Sequence, residues 1–288
     1  MTLLDLRGPV HVTVGLHRRA LWAALVLVLL AASALPAGRW YVQYLAEDLA
    51  ASGCRVEHTV QGCGIPVRGF LSRSLYVKKA FHLIALAVSA LPLLLGAFVA
   101  GPLTGRELES GTYRLQWTLS SGPAQWLAAR LAVPAAAALL VLPAFAAVAA
   151  WFRRGTLDTW YPVEWYAAPV YAAVGPVAVA GALLGIAVGA LAGLLIGRTV
   201  PAMAAAVTAV GIVQATAVLL RPRLWPAADG PAPGAGSWEF TGTVDRLAAR
   251  HHPPSHFWPL QLVESAVLLA LAAAAVGAAF AVLRRRHG

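Results

Sequence analysis

Long runs without a charged residue alternate with short polar segments along most of the chain. Six runs contain no Asp, Glu, Lys or Arg, and they cover residues 20–37, 83–105, 131–152, 165–197, 199–220 and 265–283. About 20 apolar residues in an α-helix cross the hydrocarbon core of a bilayer. The pattern therefore predicts six transmembrane helices, near residues 20–37, 80–103, 131–152, 169–197, 199–220 and 260–282. Membrane strands are not expected, because none of the runs alternates between apolar and polar residues.

Composition agrees with this interpretation. Hydrophobic residues make up 59% of the 288 residues and charged residues only 12%, against about 25% charged residues in soluble domains. The predicted fold class is all-α and polytopic, with one transmembrane domain over residues 1–288. The stretch at 18–38 could also be a cleaved signal peptide, but its apolar run has the length of a span, which favours a retained first helix.

The polar segments between the spans are predicted to be loops. Outer loops are expected at 38–79, 153–168 and 221–259, and a cytoplasmic segment at 104–130. The 22 Lys and Arg outnumber the 12 Asp and Glu, but the arginines cluster at span ends, where they reach lipid headgroups. No basic stripe with interleaved aromatic residues is present, which argues against nucleic-acid binding.

Charge alone does not decide on which side the termini lie. Six spans put both termini on one side, yet placing them in the cytoplasm leaves slightly more Lys and Arg outside than inside, contrary to the positive-inside rule. Cys54 and Cys63, the only two cysteines, lie in the first long loop. They are expected to form a disulfide if that loop is outside, and are two unrelated thiols otherwise.

Span four carries a glycine at every fourth position, namely Gly181, Gly185, Gly189, Gly193 and Gly197. Four residues turn a helix by about 400°, so these glycines form a slowly drifting stripe. Such a stripe lets another helix approach closely, and it predicts a packed helix pair. Gly175 lies off this register and is expected to tolerate a large side chain better than Gly189 does.

Histidines near the sixth span are the first candidates for chemistry. His251, His252 and His256 could approach a metal, but the neighbouring prolines disfavour a helical presentation and no HExxH motif accompanies them. No metal site is therefore predicted.

Polar residues inside the spans are the second set of candidates. Glu264 lies about one turn into span six, with Gln261 on the same face. An acid inside a span usually faces a cavity or a partner, although one near the span end also reaches water or pairs with an arginine. The candidate translocation path consists of Gln214, Gln261 and Glu264.

No nucleotide-binding loop is found in the chain. A phosphate-binding GxxxxGK[ST] loop needs a lysine, and the only two, Lys78 and Lys79, lack the preceding glycines. The chain cannot hydrolyse ATP by that route. No cofactor is expected in this chain, and a pump would need ATP and Mg²⁺ bound by a separate subunit.

Three segments resemble the permease subunits of bacterial ATP-binding-cassette (ABC) exporters. They are GPLTGRELESGTYRLQWTLS after span two, GRTVPAMA between spans four and five, and PPSHFWPLQLVES before span six. The similarity runs from about residue 80 to the C-terminal arginines and includes the order of the spans. It implies cytoplasmic termini, a separate ATPase subunit, a second permease and a location in the bacterial plasma membrane.

The resemblance also implies that the cytoplasmic segment contains the coupling helix that docks on the ATPase. The residues assigned to coupling are Arg106, Glu107, Glu109, Gly111, Thr112, Tyr113, Arg114 and Trp117. The residues alone place Leu108, Thr112, Leu115 and Leu119 on one helical face, and Gly111 permits a bend. An ordinary amphipathic helix at the membrane surface is the alternative.

The predicted function is a membrane-spanning permease that exports an apolar or amphipathic compound, contacts membrane lipid and is not itself an enzyme. One alternative is a membrane-embedded enzyme that uses Glu264 and the three histidines. The other is a self-powered secondary transporter, which the lack of a central charged relay disfavours.

Overall fold

The computed structural model describes residues 7–56, 61–113, 122–156, 163–230, 236–241 and 250–287. Within these ranges, five helices are long and apolar enough to cross a membrane: Gly64–Ser110, Pro123–Arg154, Val177–Ile196, Thr199–Arg223 and Pro254–Arg286. They coincide with predicted spans two to six and confirm a helical, polytopic fold. The first predicted span lies inside helix α1, Arg7–Ala51. Its crossing, the total of six spans and the side of the termini stay predictions.

The region predicted as the first outer loop, 38–79, is mostly helical. Helix α1 continues to Ala51 and helix α2 begins at Gly64, so the connection between them is short. Leu45 and Leu49 pack against Val67 and Phe70 near its tip. The hydropathy pattern placed the loop too early in the chain. A helix can become polar beyond its apolar run and remain helical, so the end of the run does not mark the end of the helix. About 14 residues beyond the predicted span end extend α1 by roughly 21 Å.

The second span is continuous but changes its hydrogen-bonding pattern. Helix α2, Gly64–Leu94, passes into a π-helical turn at Leu95–Ala100 and then into α3, Gly101–Ser110. Pro102 has no N–H to donate to the preceding turn, which accounts for the local change. Helix α3 ends at Gly111, whose φ of 73° is left-handed. The bend expected at Gly111 therefore separates Leu108 from Thr112, and the rest of the predicted face, Leu115 and Leu119, lies outside the described residues.

The predicted fourth span, 169–197, is broken near its N-terminal end. After helix α4, Pro123–Thr156, the short helix α5 covers Ala168–Val174 and the long helix α6 covers Val177–Ile196. Gly175 between them is extended, because a residue that precedes proline is disfavoured in the α conformation. Helix α6 ends at Gly197 (φ 65°), and α7 follows at Thr199–Leu220.

The segment predicted as the last outer loop, 221–259, contains a small antiparallel sheet. Its strands are β1, Ala228–Asp229, β2, Trp238–Thr241, and β3, Arg250–His252, in the order β1-β3-β2. Strand β1 lies in the Gly- and Pro-rich start of this loop. Pairing with the later β3 supplies the hydrogen bonds that local sequence does not indicate. Helix α8, Phe257–His287, completes the chain that the structure describes.

Helix α6 is the centre of the bundle. Of the most apolar 18 residues in each helix, 67% are buried in α6 and 11% in α7. Its small residues let neighbouring helices approach, and its buried Leu184, Ala187 and Ile186 join two separate hydrophobic clusters. The other spans therefore pack around a small-residue helix and expose apolar faces outward.

Candidate functional site

The glycine stripe of α6 faces the second span. A Cβ atom built on Gly185 would overlap the carbonyl oxygen of Pro92, and one built on Gly189 would overlap that of Gly96. The fit is mutual, since a Cβ on Gly96 would lie 2.8 Å from the carbonyl oxygen of Gly185. The two backbones are therefore in direct contact along this face.

The two ends of the stripe differ. A Cβ on Gly181 would lie 3.0 Å from Pro92 Cγ, and one on Gly193 would overlap the Thr104 hydroxyl. Gly197 has open space around its Cα and a left-handed φ of 65°. Gly197 therefore ends the helix and does not pack against the second span. Four of the five glycines thus face the second span.

Gly175 does not behave as expected for an off-register glycine. A Cβ there would overlap the amide of Gln261. That amide is held in place, because its Nε2 donates to the Tyr171 carbonyl at 2.7 Å and its Oε1 accepts from the Val177 N–H at 3.2 Å. Gln261 therefore satisfies backbone groups on both sides of the break between α5 and α6. A large side chain at Gly175 would displace it.

Glu107 connects the end of the second span to the start of the third. Its carboxylate forms an ion pair with Arg130 and accepts a hydrogen bond from Trp126 Nε1 at 2.7 Å. Arg130 is 3% exposed and Glu107 16% exposed at the side chain. A buried pair of this kind fixes the relative position of α3 and α4, because separating the two groups leaves a charge uncompensated.

Glu109 connects the same helix end to the fifth span. Its Oε2 accepts hydrogen bonds from the Thr199 N–H at 2.9 Å and from the Thr199 hydroxyl at 2.7 Å. The carboxylate therefore caps the N-terminus of α7, where negative charge is favourable. Thr199 is the first residue of α7, and Pro201 lies in its first turn.

The remaining coupling residues lie on or beyond this helix end. Arg106 is exposed, and Gly111 ends α3. The Thr112 hydroxyl is 3.0 Å from that of Ser110. Tyr113 is half-buried. Arg114 and Trp117 fall outside the described residues, as do Leu115 and Leu119.

The C-terminal arginines reach the same end of the molecule. Arg286 Nη1 and Nη2 donate to the carbonyl oxygens of Leu194 and Leu195 at 2.7 and 3.1 Å. These are last-turn carbonyls of α6, which need partners from outside the helix. Five residues, Glu107, Glu109, Arg130, Thr199 and Arg286, thus join the ends of five helices, and we call them the helix-end cluster.

A buried ion pair marks the opposite end of the bundle. Arg221 Nε and Nη2 donate to the two oxygens of Glu264 at 2.8 and 2.9 Å, and both residues are 3% exposed. The Arg221 guanidinium also lies 3.9 Å from the centre of the Tyr171 ring. The bidentate geometry joins α7 to α8. Both carboxylate oxygens of Glu264 are occupied within the chain.

Comparison with known proteins identifies the family of the chain. The family profile described as ABC-2 membrane transporter related matches residues 23–221, which is more than half of the chain. The chain belongs to this family. Neither the curated proteins nor the solved structures compared with the chain contain a match. The protein is therefore an ABC-2 type permease subunit, a multi-pass membrane component of a transporter.

The permease brings together two of its three candidate path residues, since Gln261 and Glu264 lie one turn apart on α8. Gln261 supports the break before α6, and Glu264 pairs with Arg221. Gln214 lies elsewhere, on α7, where its Nε2 donates to the Ser89 carbonyl at 3.0 Å. Each of the three side chains contacts a second helix or the residue that ends it.

His251 and His252 of the permease lie in strand β3, and His256 lies in the 3-10 turn that follows it. His252 Nε2 is 3.1 Å from the Pro222 carbonyl oxygen, and its Nδ1 is 3.0 Å from His256 Nδ1. Burial lowers the pKa of His252, and the nearby charges of His256, His251 and Arg250 act in the same direction. No group of three potential metal ligands occurs among the residues that the structure describes.

Several partners were missed at the sequence level. Arg221 was regarded as one of many span-end arginines, and Arg130 and Trp126 were passed over within the cytoplasmic segment. The positions of Arg221 and Glu264 relative to their spans could have suggested this pair. Arg221 directly follows span five and Glu264 lies one turn into span six, so the two residues are expected at a similar depth in the membrane. The partners of Glu107 and Glu109 lie 23 and 90 residues away, and local spacing does not indicate them.

Proposed function

We propose that this permease is the membrane subunit of a bacterial plasma-membrane exporter. It pairs with a second permease and with two ATPase subunits, which bind ATP and Mg²⁺. An apolar or amphipathic compound crosses between the two permeases. The family assignment implies an ATPase partner, and the resemblance of the 103–122 segment to coupling segments supports its place of docking.

The helix-end cluster is the observation that carries the coupling mechanism. Residues 103–122 start inside the second span and are tied by Glu107 to α4 and by Glu109 to α7. A displacement imposed on this segment by a docked ATPase would therefore pull on three spans at once. Coupling between a docked ATPase and the spans can be carried by a continuous set of packed or hydrogen-bonded groups. The helix-end cluster is such a set.

Two substitutions separate docking from transmission. Arg106 is exposed beside the cluster and makes no hydrogen bond or ion pair with another described residue, so Arg106→Glu should disturb the partner rather than the fold. We expect ATPase capture by the purified permease to fall about tenfold or more, as for a charge reversed at a docked surface. Glu109→Ala should leave capture intact and reduce transport, because α7 loses its cap.

The matched control is Arg73→Glu, an equal charge reversal on an exposed residue of the outer part of α2. It should change neither capture nor transport. Unchanged capture and transport in Arg106→Glu would contradict docking at this segment. Equal loss of capture in Glu109→Ala would show that Glu109 supports the segment's fold and not its connection to α7.

The enzyme alternative loses Glu264 and His252, two of the four residues on which it depends. Glu264 is bound on both oxygens by Arg221, and His252 is bound at both ring nitrogens. A general acid or base needs access to a substrate proton. The permease interpretation uses these residues as structural contacts and is the one we propose.

A further inference from the structure

A groove of about 820 Å³ opens on the outer half of the bundle, opposite the helix-end cluster. Its walls come from the end of α4, the break between α5 and α6, and the start of α8. The volume falls within the roughly 300–1,000 Å³ of small-molecule sites. Most of its lining is apolar and includes Pro143, Ala147, Val174, Val179, Phe257 and Leu262.

Three arginines line the same groove. Arg39 comes from α1, whereas Arg153 and Arg154 lie in the last turn of α4. No acidic side chain is among the lining residues that the structure describes. The α4 pair also offsets the negative end of its helix, but that role does not explain Arg39. Its Nη1 donates to the Trp151 carbonyl at 3.1 Å and its guanidinium lies 4.2 Å from the Trp151 ring centre.

Aromatic residues indicate the depth of the groove. Trp151 and Trp258 line it and are 46% and 54% exposed. Tryptophan is enriched where the hydrocarbon core meets the headgroups. Leu262, further along α8, is 60% exposed, so the groove is open on its lipid-facing side. Its arginines thus lie near headgroup level and its apolar wall beside the acyl chains.

We propose that this groove binds an anionic phospholipid of the surrounding bilayer. The phosphate-bearing headgroup contacts Arg39, Arg153 and Arg154, and one acyl chain lies along Ala147 and Leu262. The charged side chains among the described lining residues are all cationic, and basic pockets between transmembrane helices bind anionic headgroups. A soluble anion would use the arginines but leave the apolar wall empty. The site does not depend on the transported compound.

Native mass spectrometry of the full-length permease in mild detergent tests the proposal. Phosphatidylglycerol, phosphatidylcholine of equal chain length and soluble glycerol phosphate are titrated separately. We expect phosphatidylglycerol to bind more tightly than phosphatidylcholine, and glycerol phosphate to bind weakly. Equal binding of the two lipids would overturn the proposal. Glycerol phosphate binding as tightly as phosphatidylglycerol would also overturn it, because the site would then be one for free phosphate.

Two pairs of variants locate the headgroup. Arg39→Gln with Arg154→Gln should weaken phosphatidylglycerol binding by roughly fivefold for each arginine removed, with little effect on phosphatidylcholine. Arg68→Gln with Arg73→Gln makes the same change in net charge on exposed residues of α2 and should have no effect. Equal weakening by both pairs would show general charge attraction and refute the groove.

A second comparison locates the acyl chain and does not depend on the arginines. Ala147→Trp fills the groove, whereas Ala144→Trp adds the same side chain to an exposed position on α4 outside it. The first should weaken binding of both lipids and the second should not. Unchanged phosphatidylglycerol binding in Ala147→Trp would show that no chain lies there and would overturn the proposal.

Discussion

Gly189 is the position where the packing of α6 on the second span can be tested most sharply. The perturbation is Gly189→Ala, the smallest possible side chain. An added Cβ would lie 2.9 Å from both Cα and the carbonyl carbon of Gly96, and closer still to its oxygen. The obstacle is backbone, which cannot turn aside as a side chain can. Gly277→Ala on α8 is the matched control, because a Cβ there meets no atom within 4 Å.

The expected size of the effect follows from the separation that the methyl group forces. Ordinary contacts begin near 3.4 Å, so the helices must move apart by at least about 0.5 Å. A gap of this size removes a quarter to a half of each dispersion contact, so about 40 atom pairs at about 0.15 kcal/mol lose about 2 kcal/mol. Alanine also favours a helix over glycine by about 1 kcal/mol. This gain is shared by Gly277→Ala and cancels in the comparison.

Unfolding of the purified permease in mixed dodecyl maltoside and sodium dodecyl sulfate micelles measures the difference. Circular dichroism gives the helical fraction at each detergent ratio. Gly189→Ala should be less stable than Gly277→Ala by about 2 kcal/mol, and Gly277→Ala should equal or exceed the wild type. Equal stability of the two variants would refute the reasoning, since the stripe would then not hold the second span.

Three other expectations follow from the structure. Cys54 and Cys63, disulfide-bonded with Cα atoms 5.5 Å apart, should react with an impermeant thiol reagent on intact cells only after reduction, and labelling without reductant would contradict an external bond. Glu264→Gln should destabilise the permease by about 3 kcal/mol in the same unfolding assay, because it leaves the buried charge of Arg221 uncompensated, whereas replacing both residues by Leu should recover most of the loss. His252 has a pKa lowered below 6.5 by burial, so the unfolded chain binds the proton first and stability should fall as the pH drops below about 6.5. His252→Gln should flatten that dependence between pH 7.5 and 5, and an unchanged slope would assign it to other groups.

Some features of the candidate sites could be predicted because they are local. The register of Gly181, Gly185, Gly189 and Gly193 is a property of one helix, and the structure places all four toward a neighbour. The identity of that neighbour required the tertiary structure. The second span accepts the stripe because it carries its own Gly96, and no periodicity in α6 indicates which helix does so.

Charged residues show the opposite case. Glu107 and Glu109 were assigned to coupling by resemblance, but their side chains bind Arg130 and Thr199 inside the chain. Arg106 lacks such contacts with described residues and is the better docking candidate. The direction of a carboxylate near a helix end depends on which other helix ends lie beside it, and this is a question of assembly rather than of sequence pattern.

The sequence by itself determined the approximate position of the five apolar helices that the described residues contain, because burying a backbone in hydrocarbon requires about 20 consecutive apolar residues, and this requirement is local. Only the tertiary structure decided where the helices end, break and pair. Helix α1 continues past its apolar run because Leu45 and Leu49 find partners on α2, and the break at Gly175 persists because Gln261, 86 positions later in the sequence, satisfies its backbone. Such contacts join residues that are distant along the chain, and their energies depend on positions that hydropathy does not contain.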